Sequence, residues 1–150
     1  MIHTGHESIV VRRSAALLIP IMQLFGLYVL FFGQYGPGGG FVGGVMLGAS
    51  LIAGILIFGP DGQPAAAAKK LLKTDGLGLL IFVGVGGLCL IGGGAFLNYS
   101  HMQLPGLDGP TRRYVGIILT QIGVAADIAV AAVSIVFSLY AASSDEVSNG

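Results

Sequence analysis

The chain has 150 residues, of which 54% are hydrophobic and only 9% charged, and its net charge at neutral pH is zero. Soluble domains carry about 25% charged residues, so a water-soluble globule is excluded: so few charges cannot screen that much apolar surface from water. The absence of any basic stripe excludes nucleic acid as a partner, and a single cysteine, Cys89, excludes an internal disulfide or a cysteine-based metal cluster.

From Ser14 to Pro60 no side chain is charged. A membrane crossing needs about 20 apolar residues, so this run holds two, predicted at residues 14–32 and 39–58. Arg12 and Arg13 precede the first as in a secretory leader, but the apolar run is too long for one and lacks a small-x-small cleavage site. It is expected to remain as a helix. Within it Pro20 frees a backbone carbonyl and Gln23 places an amide in hydrocarbon, which together suggest a gentle kink with a packed polar contact.

The turn between the two crossings reads Gly36-Pro37-Gly38-Gly39-Gly40-Phe41-Val42-Gly43-Gly44. Residues 38–43 match G-x-G-x-x-G formally, yet a membrane span and not a strand precedes them, and no acidic residue follows until Asp61. Nucleotide binding is therefore not expected. Gly40, Gly44 and Gly48 recur every fourth residue, the spacing that lets a neighbouring helix approach closely. The expectation is a tight turn followed by a packing face directed at partner subunits.

Pro64 suits a first helical turn, and the Ala/Lys/Leu run of residues 65–73 suits a short helix at the membrane interface. A third span is predicted at residues 76–97, a loop at 98–110, a fourth span at 114–140 and a polar, frayed tail at 143–150. Tyr28, Tyr35, Tyr99, Tyr114 and Tyr140 fall near span ends, as an aromatic belt requires. Arg12, Arg13, Lys69, Lys70 and Lys73 on one side outnumber Arg112 and Arg113 on the other, which predicts cytoplasmic termini. The fold class expected is thus all-α: one domain, four transmembrane helices and a short interfacial helix between the second and third.

Asp127 is the one Asp, Glu, Lys, Arg or His inside any predicted span. A carboxyl at membrane depth is costly and by default points to function; it either finds a partner or takes up a proton. Thr120, Asp127 and Ser134 are spaced by seven and Ser138 lies eleven beyond Asp127, so all four share one stripe, with Gln121 and Gly123 beside it. Asp127, Thr120, Gln121 and Ser134 are the ion-path candidates; the alternative is an Asp127 that only bonds a helix of another subunit. His3, His6 and His101 show no ligand spacing and are read as solvated. With no nucleophile–base pair, carboxylate dyad or metal constellation, neither an enzyme nor a cofactor is expected.

Arg13 with a proline seven residues on, then Phe25-Gly26-Leu27-Tyr28, then Pro37-Gly38-Gly39-Gly40-Phe41-x-Gly43-Gly44, resemble the MnhB/MrpB family, the B-type subunits of the multisubunit Na+/H+ antiporters known as Mrp complexes. Tyr114-Val115-Gly116 to Gln121-Ile122-Gly123-Val124 is similar to the family's second characteristic segment. Two positions depart from the pattern: Gln121 stands where many relatives carry an acid, and Val42 where they carry glutamine.

The resemblance implies a multi-pass subunit of a bacterial or archaeal cell-membrane complex that exchanges cytoplasmic Na+ for external H+. Its partners would be the other Mrp subunits and the lipid bilayer. Two rivals remain: a structural subunit of a hydrogenase-type redox-driven ion pump, and a self-assembling channel or ring.

Overall fold

A computed structural model describes residues 9–59, 62–102 and 104–149, with side chains to residue 140. His3, His6, Asp61 and Gly150 lie outside them. Among the described residues the order is α1 (Ile9–Phe32), α2 (Gly40–Phe58), α3 (Gln63–Leu72), α4 (Leu77–Ile91), a 3-10 turn (Tyr99–His101) and α5 (Gly109–Asn149), with no strand.

Helices α1 and α2 form a hairpin. Ala15, Ile19, Gly26 and Leu30 of α1 are buried on one stripe, and Gly43 of α2 sits where an added Cβ would lie 2.8 Å from the Leu30 Cβ. The turn is drawn tight by the Gly39 N–H, which donates to the Val29 carbonyl at 3.1 Å. Gly39 holds φ at +104°, a conformation open to glycine and strained for a side chain.

Helix α5 is the spine, and α2 lies along it in parallel: Gly40 meets Gln121, Gly44 meets Ala125, and Gly48 meets Ala129 and Ala132. The return path is α3 and α4, bent by 43° at a break of four residues. Gly76, at φ +79°, makes the corner. Helix α4 packs antiparallel on α5, with Gly78 against Gly123 and Asp127. The loop after it folds back to bury Met102 against Val85 and Cys89.

Three helices, α1, α2 and α5 up to Tyr140, are long and apolar enough to cross a membrane, and the bent pair α3–α4 makes a fourth if it counts as one span. Four large side chains show why lipid or protein must cover this surface: Leu24, Leu56, Leu80 and Ile91 are 68%, 73%, 69% and 79% exposed.

Several boundaries differ from the sequence reading. The third apolar run forms only the 15 residues of α4, ending at Ile91, because Gly92, Gly93 and Gly94 follow and Gly93 turns at φ +81°. The fourth helix is longer, 41 residues. It begins at Gly109 because Pro110 starts a helix well, and it continues through the segment expected to fray.

The short helix expected at the interface is present as α3, but its place differs. Its alanines allow close approach, so Ala65 and Ala68 are fully buried beside Ile55 and Val133. It runs along the bundle, from Pro64 beside Gly54 to Leu71 in a cleft shared with Gln23, Leu47 and Ala126. The break at residues 73–76 is therefore level with the middle of α2, and the lysines of α3 do not mark an end of the bundle. Each end then keeps two arginines, Arg12 and Arg13 against Arg112 and Arg113, so the charge count no longer distinguishes the sides.

Candidate functional site

Helix α5 shows different faces to α2 and to α4. Toward α2 it presents Gln121, Ala125 and Ala129, and there the backbones nearly touch. A Cβ on Gly44 would lie 2.7 Å from the Ala125 carbonyl oxygen. At the top of this seam the Gly40 N–H donates to the Gln121 Oε1. A helix N-terminus leaves unbonded N–H groups that a neighbouring side chain usually caps. Here Gly39 has no side chain to offer, and a residue 81 positions away supplies the acceptor.

This corrects one expectation. The stripe Gly40, Gly44 and Gly48 packs on α5 of the same chain and not on a partner subunit. The physical reason is that α5 supplies small residues in matching register, so the closest partner for glycine is internal. Pro37 and Phe41 face outward, Phe41 being 65% exposed, while Gly38 is held against Val29.

Toward α4 and the 3-10 turn, α5 presents Gly116, Thr120, Gly123 and Asp127. The Thr120 hydroxyl donates to the Gly116 carbonyl at 2.8 Å and accepts from the Tyr99 hydroxyl at 3.2 Å. Asp127 is half-buried, and its Oδ1 would lie 2.7 Å from a Cβ on Gly78. That places the carboxyl at the first turn of α4. In that turn Leu77 N–H bonds to Thr74 and Leu80 N–H to Gly76, both at 3.0 Å. The start of a helix carries a partial positive charge, so α4 presents its favourable end to an acidic group, an arrangement known for interrupted membrane helices.

The four ion-path candidates are thus divided. Thr120 and Asp127 share the α4 side, Gln121 lies on the α2 side as a cap, and Ser134 is half-buried one turn beyond Val130. Gly78 and Tyr99 were not singled out with Asp127 and Thr120 by sequence. The signal for Gly78 is the polar run Lys73-Thr74-Asp75-Gly76, which ends in glycine and splits one apolar path into two half-helices. Pro20 and Gln23 line a separate cleft of about 600 Å³ between α1, α2 and α3. At its mouth the Arg12 guanidinium lies 5.6 Å from the centre of the Phe58 ring.

Three long apolar helices, a bent fourth pair, glycine-packed seams and a carboxyl at mid-height define a multi-pass helical membrane protein. Residues 10–144 match the family described as a domain related to the MnhB subunit of Na+/H+ antiporter. The chain belongs to that family. It is 36% identical over 114 residues to the B-type subunit of the Na+/H+ antiporter of Alkalihalophilus pseudofirmus, covering 70% of this chain and 78% of the relative. It is 28% identical over 101 residues to the antiporter subunit of the same name from Bacillus subtilis, covering 66% and 71%.

Proposed function

We propose that this chain is a non-catalytic membrane subunit of a multisubunit Na+/H+ antiporter, working beside the other subunits of an Mrp-type complex. The complex would exchange cytoplasmic Na+ for external H+. The observation that carries this reading is the family match across residues 10–144. The relatives lend no support to the rival hydrogenase-type pump, which is set aside.

Within that complex, Asp127 is the residue proposed to serve the ion path, with Thr120 as its nearest polar companion on the same face. Two features support it: its half-burial midway along α5 and its place at the start of α4. A carboxyl in that position lies beside the positive end of a helix and in an apolar span, where an acidic side chain points by default to function. Gln121 and the glycines of α2 are assigned to holding the helices together.

The test is exchange in everted vesicles that hold the whole complex. Asp127→Asn keeps the size of the side chain and removes its charge, so exchange is expected to fall about tenfold or more while the subunits still purify together. Asp127→Glu should recover part of it. If Asp127→Asn leaves both exchange and assembly at the wild-type level, the assignment is wrong.

A further inference from the structure

All three lysines of the chain, Lys69, Lys70 and Lys73, lie on α3 and its C-terminal cap, and Asp75 follows before α4 begins. All four side chains are exposed on the bundle surface. Their height is set by their neighbours. Leu71 shares its cleft with Leu47 and Ala126, and Gly78 abuts Asp127, which lies thirteen residues from both Tyr114 and Tyr140. These charges therefore sit near half the height of the apolar part of α5.

A lysine stem reaches about 6 Å, so it can lift its ammonium toward water only from near a helix end. The centre of a bilayer is about 15 Å from either interface. Exposed ammonium groups at that depth cannot be left facing lipid. Among the described residues none neutralises Lys70 or Lys73. Helix α2 and residues 14–32 of α1 contain no ionisable acid, and α5 offers only Asp127 at this level. Among the described residues Lys70, Lys73, Asp75 and Asp127 have no side-chain hydrogen bond or ion pair. Lys70 and Lys73 thus hold two exposed ammonium groups on this face with no hydrogen bond or ion pair to hold them.

We propose that the break between α3 and α4 is a docking face inside the membrane, and that its occupant is a transmembrane segment of a companion subunit carrying carboxylates opposite Lys70 and Lys73. The proposal rests on the antiporter-subunit reading only in requiring that a companion exists. Opposite charges across such a contact fix which partner is accepted and in what register.

The test uses the whole complex in sealed vesicles, prepared in both orientations. Because every lysine of this chain lies here, an amine reagent that cannot cross the membrane reads this face once mass spectrometry locates the modified lysines of this chain. The three lysines are expected to resist labelling in intact membranes and to react after denaturation in detergent. A membrane-permeant carbodiimide should join the Lys70 or Lys73 amine to an Asp or Glu in a membrane segment of another subunit, releasing the urea and leaving an amide that mass spectrometry locates. Lys70→Glu with Lys73→Glu should lower the yield of co-purified companions about tenfold or more, while Lys73→Arg should not.

Free labelling from either side would show that water covers the lysines and would overturn the proposal. So would cross-links confined to Asp75 or Asp127 of the same chain, or a double Glu variant that assembles normally. Exchange lost in Asp127→Asn together with freely labelled lysines would sink the docking face and leave the antiporter reading standing.

Discussion

Helices α2 and α4 are both rich in glycine, and they use it in opposite ways. On α2, Gly40, Gly43, Gly44, Gly48 and Gly54 are all buried against another helix of the chain. On α4, Gly78 and Gly86 are packed, but Gly84 and Gly87 have nothing within 4 Å of an added Cβ. In lipid, helices associate through close packing and hydrogen bonds, not through release from water. The α2–α5 seam therefore resembles a finished joint. The outer side of α4 does not, and its glycines there are free to meet lipid or another subunit.

The strongest way to break this contrast is Gly44→Leu. The Ala125 carbonyl would be 2.7 Å from the new Cβ, and backbone cannot yield as a side chain does, so a loss of about 3 kcal/mol or more is expected. The chain should then disappear from the membrane fraction or fail to co-purify with its companions. If it accumulates normally, the seam is not where the stability lies.

Gln121→Leu is next. It removes the acceptor for the Gly40 N–H, and leaving a donor unbonded in an apolar setting costs about 1–3 kcal/mol. The readout is the midpoint of heat-induced aggregation in mild detergent. Gln121→Glu keeps an acceptor and adds negative charge at a helix start, which is favourable, so it should restore the midpoint. Failure of that rescue would assign Gln121 to something other than capping.

On the other face, Tyr99→Phe deletes the hydroxyl that donates to Thr120 at 3.2 Å. A loss of about 0.5–1.5 kcal/mol is expected by the same measurement. Gly87→Ala sharpens the contrast from the weak end. Nothing crowds the site, and alanine favours a helix by up to about 1 kcal/mol, so the isolated chain should be unchanged or slightly more stable. If the variant chain is stable but its complex is not, Gly87 lies at a subunit interface.

Much of this was legible in the sequence, for identifiable reasons. The apolar runs locate α1 and α2 because a bilayer demands length and absence of charge, and both properties are read directly from residues 14–58. The spacing of Gly40, Gly44 and Gly48 announces a close contact, but period alone names no partner. Ala125 and Ala129 are ordinary residues until the register of α5 is known. The break at residues 73–76 reads in sequence as the edge of the membrane because lysines usually mark one. Only the fully buried Ala65 and Ala68 reveal that α3 lies within the bundle. Asp127 stands out at once, since a lone acid in an apolar run has no competitor for attention. That Gly78 faces it depends on tertiary contacts, which no short motif encodes.

The bond between Gly40 and Gln121 also bears on how the chain is made. Its two ends are separated by 81 residues, so the α1–α2 hairpin leaves the ribosome well before its cap exists. Until α5 emerges, the nascent hairpin holds a bare glycine groove and an unbonded amide, and α3 and α4 are both translated before the helix that completes it.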